Sequence, residues 1–123
     1  MKRIVVAATL VLGGCQWIPG TDAHLREKAQ RLAAAELIDP SSAQFRRVEV
    51  SRRPGGDRVC GEINGKNRMG AYAGFTRFVT DLEGGSAWLE PPEGPLDDSE
   101  LAQLERTLFE MRAIAHCPAG WSD

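Results

Sequence analysis

Three segments with the composition of β-strands follow one another between residues 45 and 80, with glycine-containing turns between them. Valines alternate with charged residues in the first, residues 45–51, and apolar residues alternate along the second, residues 58–64. Only residues 52–57 separate these two segments, and strands joined by so short a connection run antiparallel. The sequence therefore predicts a β-hairpin that begins an antiparallel sheet.

Two further segments extend this sheet. The third predicted strand, residues 71–80, carries an aromatic residue on each face, which is typical of a central strand. A fourth, shorter strand is expected around residues 86–90 and places Trp88 against one face. Phe45 has the opposite parity to the valines of its strand, which predicts a β-bulge or an entry residue there.

Amphipathic helical patterns flank the strands on both sides. The first spans residues 22–37 and ends before Pro40, because a proline disfavours the helical conformation in the residue that precedes it. The second begins at a capping box formed by Asp97 and Glu100 and runs to residue 115 or 116. Apolar residues recur at helical spacing at Leu25, Ala29, Leu32 and Ala33 in the first helix and at Leu101, Leu104, Leu108, Met111 and Ala115 in the second.

These elements predict a single α+β domain over residues 22–123. We expect a three- or four-stranded antiparallel sheet, packed by the N-terminal and C-terminal helices on one face. The shared apolar face is expected from Val59, Ile63, Tyr72, Phe78 and Trp88.

The N-terminus carries Lys2 and Arg3, an apolar run over residues 4–12, and then Gly13-Gly14-Cys15. This pattern is typical of a signal peptide, and the apolar run is about half of what a membrane-spanning helix needs. Its ending resembles the lipobox of bacterial lipoproteins. The resemblance implies that residues 1–14 are removed as a signal peptide, that Cys15 carries the lipid, and that residues 15–21 form a short tether.

The residue after the lipobox cysteine is Gln16. Inner-membrane retention in Gram-negative lipoproteins favours Asp at that position, so the resemblance implies an outer-membrane anchor with the domain facing the periplasm. Loss of Lys2 and Arg3 with the leader leaves 13 basic residues against 17 acidic ones, a net charge of −4. This balance argues against a nucleic acid partner, because phosphate binding requires a clustered positive surface.

Cys60 and Cys117 are the cysteines that remain once Cys15 is assigned to lipid. An even pair in an exported domain predicts a disulfide bond. A zinc site that includes His24 and His116 is one alternative, although the usual close spacing of zinc ligands is absent. A nucleophilic pair of Cys60 and His116 is the other. We expect neither a metal nor another cofactor.

The loop between the second and third predicted strands, residues 64–70, is longer than a hairpin requires. Recognition residues often lie on such loops, and this one gathers amide and basic side chains next to a tyrosine. The candidate binding residues are Asn64, Lys66, Asn67, Arg68 and Tyr72. The alternative is that the asparagines and glycines serve only to build the turn.

Residues 39–46, 59–64, 66–67 and 74–78 resemble a group of small exported bacterial proteins that has no assigned activity. The resemblance implies a shared fold and supplies no catalytic residue. We therefore expect a lipid-anchored envelope protein that binds a protein or glycan partner without catalysis. A scaffold component of an envelope assembly, such as a secretion apparatus, is the alternative. A small cell-wall-acting enzyme, in which a carboxylate such as Glu62 faces His116 or a second acid, is a third hypothesis.

Changing Cys15 to Ser removes the sulfur that a lipobox cysteine must supply. We expect the Cys15→Ser variant to lose incorporation of labelled palmitate and to retain its leader, whereas Trp17→Phe keeps normal labelling. Gel mobility and the label report the two effects. Palmitate labelling of the serine variant at the wild-type level would contradict the lipobox assignment.

Overall fold

The computed structural model describes residues 20–92 and 99–121. The predicted signal peptide, Cys15, the tether up to residue 19 and Asp97 lie outside these residues. The described elements are helix α1 (Asp22–Ala35), a 3-10 turn (Pro40–Ser42), strands β1 (Gln44–Ser51), β2 (Arg58–Asn64), β3 (Thr76–Asp81) and β4 (Ser86–Leu89), and helix α2 (Glu100–His116).

The four strands form one antiparallel sheet in chain order, with β1 and β4 at its edges. This confirms the predicted α+β class, and within residues 20–92 and 99–121 the sheet has four strands. Within the described ranges, neither helix combines the length and the hydropathy that crossing a bilayer requires.

The predicted β-bulge is present in β1. Its pairing with β2 shifts register between Arg46 and Glu49, and Arg47 has a φ of 52°. The extra residue reverses the alternation of side chains along the strand. As a result, Phe45 and Val48 pack against the same apolar cluster although they differ in parity.

The two helices lie on opposite faces of the sheet. Val59 and Cys60 are neighbours on β2 and therefore point to opposite faces. Val59 packs with Ala29 of α1, whereas Cys60 packs with Phe109 of α2. The expectation that both helices share one face is thus wrong, and the domain has three layers with the sheet in the middle.

Of the five predicted core residues, Val59, Ile63 and Phe78 are fully buried on the α1 side. Burial of each such side chain stabilises the fold by about 2 kcal/mol. Trp88 instead packs on the α2 side, and Tyr72 is 44% exposed. The apolar residues predicted for one face are therefore divided between the two faces of the sheet.

Tyr72 is outside the core because β3 begins at Thr76, five residues later than predicted. Gly74 has a φ of 105°, a left-handed conformation that interrupts an extended strand. Residues 71–73 precede this interruption and pair within their own loop, as described below.

Helix α2 begins after Ser99, whose Oγ accepts a hydrogen bond from the N–H of Ala102. The N-cap is thus Ser99, and the prediction of Asp97 in that role is wrong. The buried residues of α2 are Ala102, Phe109 and Ala113. The apolar residues at helical spacing face solvent instead: Leu101, Leu104, Leu108 and Met111 are 40–64% exposed, and they are termed the α2 stripe.

The predicted disulfide bond joins Cys60 on β2 to Cys117, which follows α2, with 5.8 Å between their Cα atoms. Both cysteines are buried. The bond therefore holds the C-terminal end of α2 on the centre of the sheet.

Replacement of Cys60 and Cys117 by alanine opens a loop of 57 residues. We expect the free energy of unfolding to fall by about 4 kcal/mol, because the denatured chain regains the entropy of that loop. Denaturant titration of the double variant measures the change, with the wild-type protein under reducing conditions as a comparison. A loss below about 1 kcal/mol would contradict this account.

Candidate functional site

Residues 65–73 form a small hairpin of their own, termed the loop hairpin. The Ala73 N–H donates to the Gly65 carbonyl over 3.3 Å, and the Asn67 N–H donates to the Ala71 carbonyl over 2.8 Å. The predicted binding loop is therefore an ordered extension of β2, paired to itself rather than to the sheet.

Asn67 builds the tip of the loop hairpin. Its carbonyl accepts from the Gly70 N–H over 3.0 Å, and Gly70 takes a φ of 78°. The Asn67 Oδ1 atom accepts from the N–H groups of Met69 and Ala71 over 3.0 and 3.2 Å. This side chain thus satisfies backbone donors inside the turn, as an Asx turn does.

Asn64 holds the base of the loop hairpin. It is only 8% exposed, and its Oδ1 accepts from the Gly74 N–H over 3.0 Å while its amide nitrogen lies 3.4 Å from Gln44 Oε1. Gly65 has no positive φ, but a Cβ there would lie 2.7 Å from a methyl carbon of Leu37. Asn64 therefore provides a hydrogen-bond acceptor for a backbone N–H group, and Gly65 allows Leu37 to pack closely.

The loop hairpin is seated on the 3-10 turn. The Lys66 N–H donates to Ser42 Oγ over 2.8 Å, and the Tyr72 hydroxyl donates to the Ser42 carbonyl over 3.1 Å. Ser42 Oγ in turn donates to the Asp39 carbonyl over 2.7 Å. Two segments singled out by the sequence resemblance, around residues 39–42 and 64–67, are thus in direct contact.

Residues 66–73 of the loop hairpin are exposed. Of these, Lys66, Arg68 and Met69 are termed the loop surface, because their side chains make none of the hydrogen bonds that build the turn. The Lys66 Nζ lies 5.6 Å from the centre of the Tyr72 ring. Among the described residues, no hydrogen bond or ion pair involves the side chains of Arg68 and Met69, and Met69 is 92% exposed. Met69 is not among the binding residues predicted from the sequence, although an apolar residue at the tip of a polar turn is a recognisable signal.

A groove of about 830 Å³ borders the loop hairpin on its Gly65 and Ala73 side. Its other walls include the apolar residues Leu37, Phe75 and Leu89 and the acidic residues Glu90 and Glu105. The base of the loop hairpin therefore borders a space that can accept an apolar side chain.

Glu62 and His116 are not brought together. Glu62 forms an ion pair with Arg46 over 2.6 Å, and the same guanidinium lies 3.9 Å from the centre of the Phe75 ring. Burial lowers the pKa of His116, and the positive charge of Arg58 lowers it further. Arg58 and Glu62 lie about 13 Å apart along β2 at the usual strand rise. The carboxylate and the imidazole of the enzyme hypothesis thus do not face one cleft.

The zinc site and the nucleophilic pair that used Cys60 are also excluded. The sulfur of Cys60 is bonded to Cys117, so it is not free to bind zinc or to act as a nucleophile. Across residues 20–92 and 99–121, no three His, Cys, Asp or Glu side chains are grouped so as to hold a metal ion.

The loop hairpin and the start of the described chain lie at opposite ends of the domain. The Gly20 carbonyl accepts from Arg52 just before α1 begins. Helix α1 has 14 residues and is thus about 21 Å long, and Leu37, beyond its far end, contacts the loop hairpin at Gly65.

Comparison of the chain with protein-family models, with curated proteins and with solved structures finds no match.

Removal of the Asn67 side chain tests whether it supports the turn. We expect Asn67→Ala to speed hydrogen exchange at Met69 and Ala71 by about tenfold, while global stability changes by no more than about 1.5 kcal/mol. Asn67→Asp keeps an acceptor oxygen at the same position and serves as the matched control. Unchanged exchange in the alanine variant would show that the turn holds without this side chain.

Proposed function

We propose that this protein is a lipid-anchored module of the bacterial envelope that binds an acidic segment of a partner protein through the loop hairpin, without catalysing a reaction. The observation that carries the proposal is that different side chains of the hairpin build the turn and face solvent. Its asparagines are used within the fold, while Lys66, Arg68 and Met69 are displayed to solvent on the backbone those asparagines support.

An ordered hairpin favours binding because little conformational freedom remains to be lost when a partner docks. Hydrogen bonds fix the backbone of the hairpin at three places: Asn67 accepts them at the tip, Asn64 at the base, and Ser42 where the hairpin contacts the 3-10 turn. The backbone positions from which two cations and one apolar side chain project are thus fixed.

The chemistry of these groups favours an acidic protein segment over a glycan. The Asn64 and Asn67 amide oxygens and the Tyr72 hydroxyl, which would suit sugar hydroxyls, are engaged in internal hydrogen bonds. Lys66 and Arg68 offer charge to carboxylates, and the groove at the base of the hairpin offers apolar wall residues to another side chain of the same segment.

The anchor is part of the same proposal. The leader resembles a lipobox, and the Cys60–Cys117 disulfide suits an oxidising compartment such as the periplasm. With Cys15 lipidated, the tether enters the domain at the end opposite the loop hairpin. An outer-membrane anchor would therefore present Lys66 and Arg68 away from the bilayer and towards periplasmic partners.

A scaffold role in an envelope assembly is the second candidate. It is favoured by the α2 stripe, since exposed apolar surface of that extent on one helix commonly marks a protein contact.

The test is a charge reversal on the loop surface. We expect Lys66→Glu combined with Arg68→Glu, in the full-length protein, to reduce cross-linked partner recovered from membranes at least tenfold, because each carboxylate contact becomes repulsive. Arg26→Glu with Arg31→Glu on α1 makes the same charge change on another exposed surface and should leave recovery unchanged.

Quantitative mass spectrometry of the cross-linked material identifies the partner. Unaltered recovery from the loop variant would refute the loop hairpin as the binding site. Loss of the ligand on digestion of cell-wall glycan, with no protein captured, would refute the acidic protein segment in favour of a glycan.

A further inference from the structure

Helix α2 exposes a large apolar surface although it is packed on the sheet. The α2 stripe, together with Ile114, which is 75% exposed, presents on the order of 500 Å² of apolar surface. Isolated exposed leucines are ordinary, but a contiguous row of this extent is typical of an interaction site.

The stripe has the spacing of a coiled-coil seam. Its residues follow one another at intervals of three, four and three, which are the a and d positions of two heptads. At 100° per residue, the stripe lies about 140° around the helix from the buried residues Ala102, Phe109 and Ala113. It therefore points away from the sheet, and among the described residues it lies on the outer side of the domain, where a second helix can approach.

We propose that the α2 stripe pairs with the α2 stripe of a second copy of this chain, with the two helices antiparallel. This inference goes beyond the proposed binding function, because it uses none of the residues of the loop hairpin.

The charges beside the stripe select the antiparallel arrangement. Glu105 and Arg112 occupy the two positions on one flank of the seam. In an antiparallel pair centred between residues 109 and 110, Glu105 faces Arg112 of the partner subunit, and the symmetry repeats this contact. The same register sets Leu108 against Met111 of the partner subunit.

A parallel pair is less favourable. It would bring Glu100 of one copy beside Glu105 of the partner subunit, and like charges at these flanking positions repel. The antiparallel pair avoids that contact and replaces it with two attractive ones.

The available area suits a dimer. A stable interface buries about 800 Å² on each partner, with an apolar centre and a polar rim. The stripe supplies the centre, and Glu105 and Arg112 belong to the rim. A lipid surface fits less well, because helices that lie in the membrane interface are flanked by basic residues, whereas this stripe also has Glu100 and Glu105 beside it.

Cross-linking in the native membrane tests the contact with the full-length chain. With benzoylphenylalanine in place of Met111, illumination should give an adduct of about twice the mass of the mature, anchored chain. Mass spectrometry should place the cross-link within α2 of the second copy. Benzoylphenylalanine in place of Arg26 on α1 is the matched control and should give no such adduct.

Exchange of the flanking charges tests the antiparallel register. We expect Glu105→Arg alone and Arg112→Glu alone each to reduce the adduct at least fivefold, because each makes both flanking contacts repulsive. Co-expression of the two variants with different tags should restore it as a mixed dimer, in which both contacts are again attractive. Restoration also shows that each variant folds, although Arg112 stacks 4.6 Å from the centre of the Trp88 ring.

Adducts only with lipid or with other proteins would overturn the proposal, as would loss of the adduct in the single variants without restoration in the mixture. The loop-surface variant should dimerise normally, so failure of the binding function and failure of this pairing are read separately.

Discussion

The disulfide between Cys60 and Cys117 attaches α2 to a central strand on the face that α1 does not cover. Strand β2 is consequently buried on both sides, with Val59 under one helix and Cys60 under the other. The three-layer arrangement follows from this constraint, because each helix must pack against the apolar residues of its own face of the sheet. A sheet with both faces covered also gives a small domain more burial than a two-layer arrangement would.

The Cys60–Cys117 disulfide also determines how α2 packs. Held at its end by Cys117, the helix approaches the sheet through Ala102, Phe109 and Ala113, and the small alanines allow a close approach. The larger leucines and Met111 are then left on the outer side. The apolar surface available for a partner is thus a consequence of which face the disulfide turns inward.

The loop surface and the α2 stripe share no residue, although Glu105 beside the stripe also lines the groove at the base of the loop hairpin. The loop hairpin is at the end where α1 finishes, beside the 3-10 turn, whereas the α2 stripe lies along the outer layer. A dimer formed through α2 would leave Lys66 and Arg68 uncovered on each copy. Two loop surfaces on one dimer could engage a repeated or dimeric partner with greater apparent affinity than a single surface.

The sequence by itself determined the strands β1 and β2, the helix α1, the bulge signalled by Phe45 and the pairing of Cys60 with Cys117, because these depend on local periodicity or on counting cysteines. Only the tertiary structure decided that β3 starts after Gly74, that Asn64 and Asn67 serve the fold, and that α2 turns its leucines outward. An amide suits both a turn and a ligand, and a helix with two apolar faces does not specify which one is buried. The start of β3, the roles of the asparagines and the orientation of α2 depend on contacts between residues distant in the chain. The local sequence pattern contains no information about such contacts.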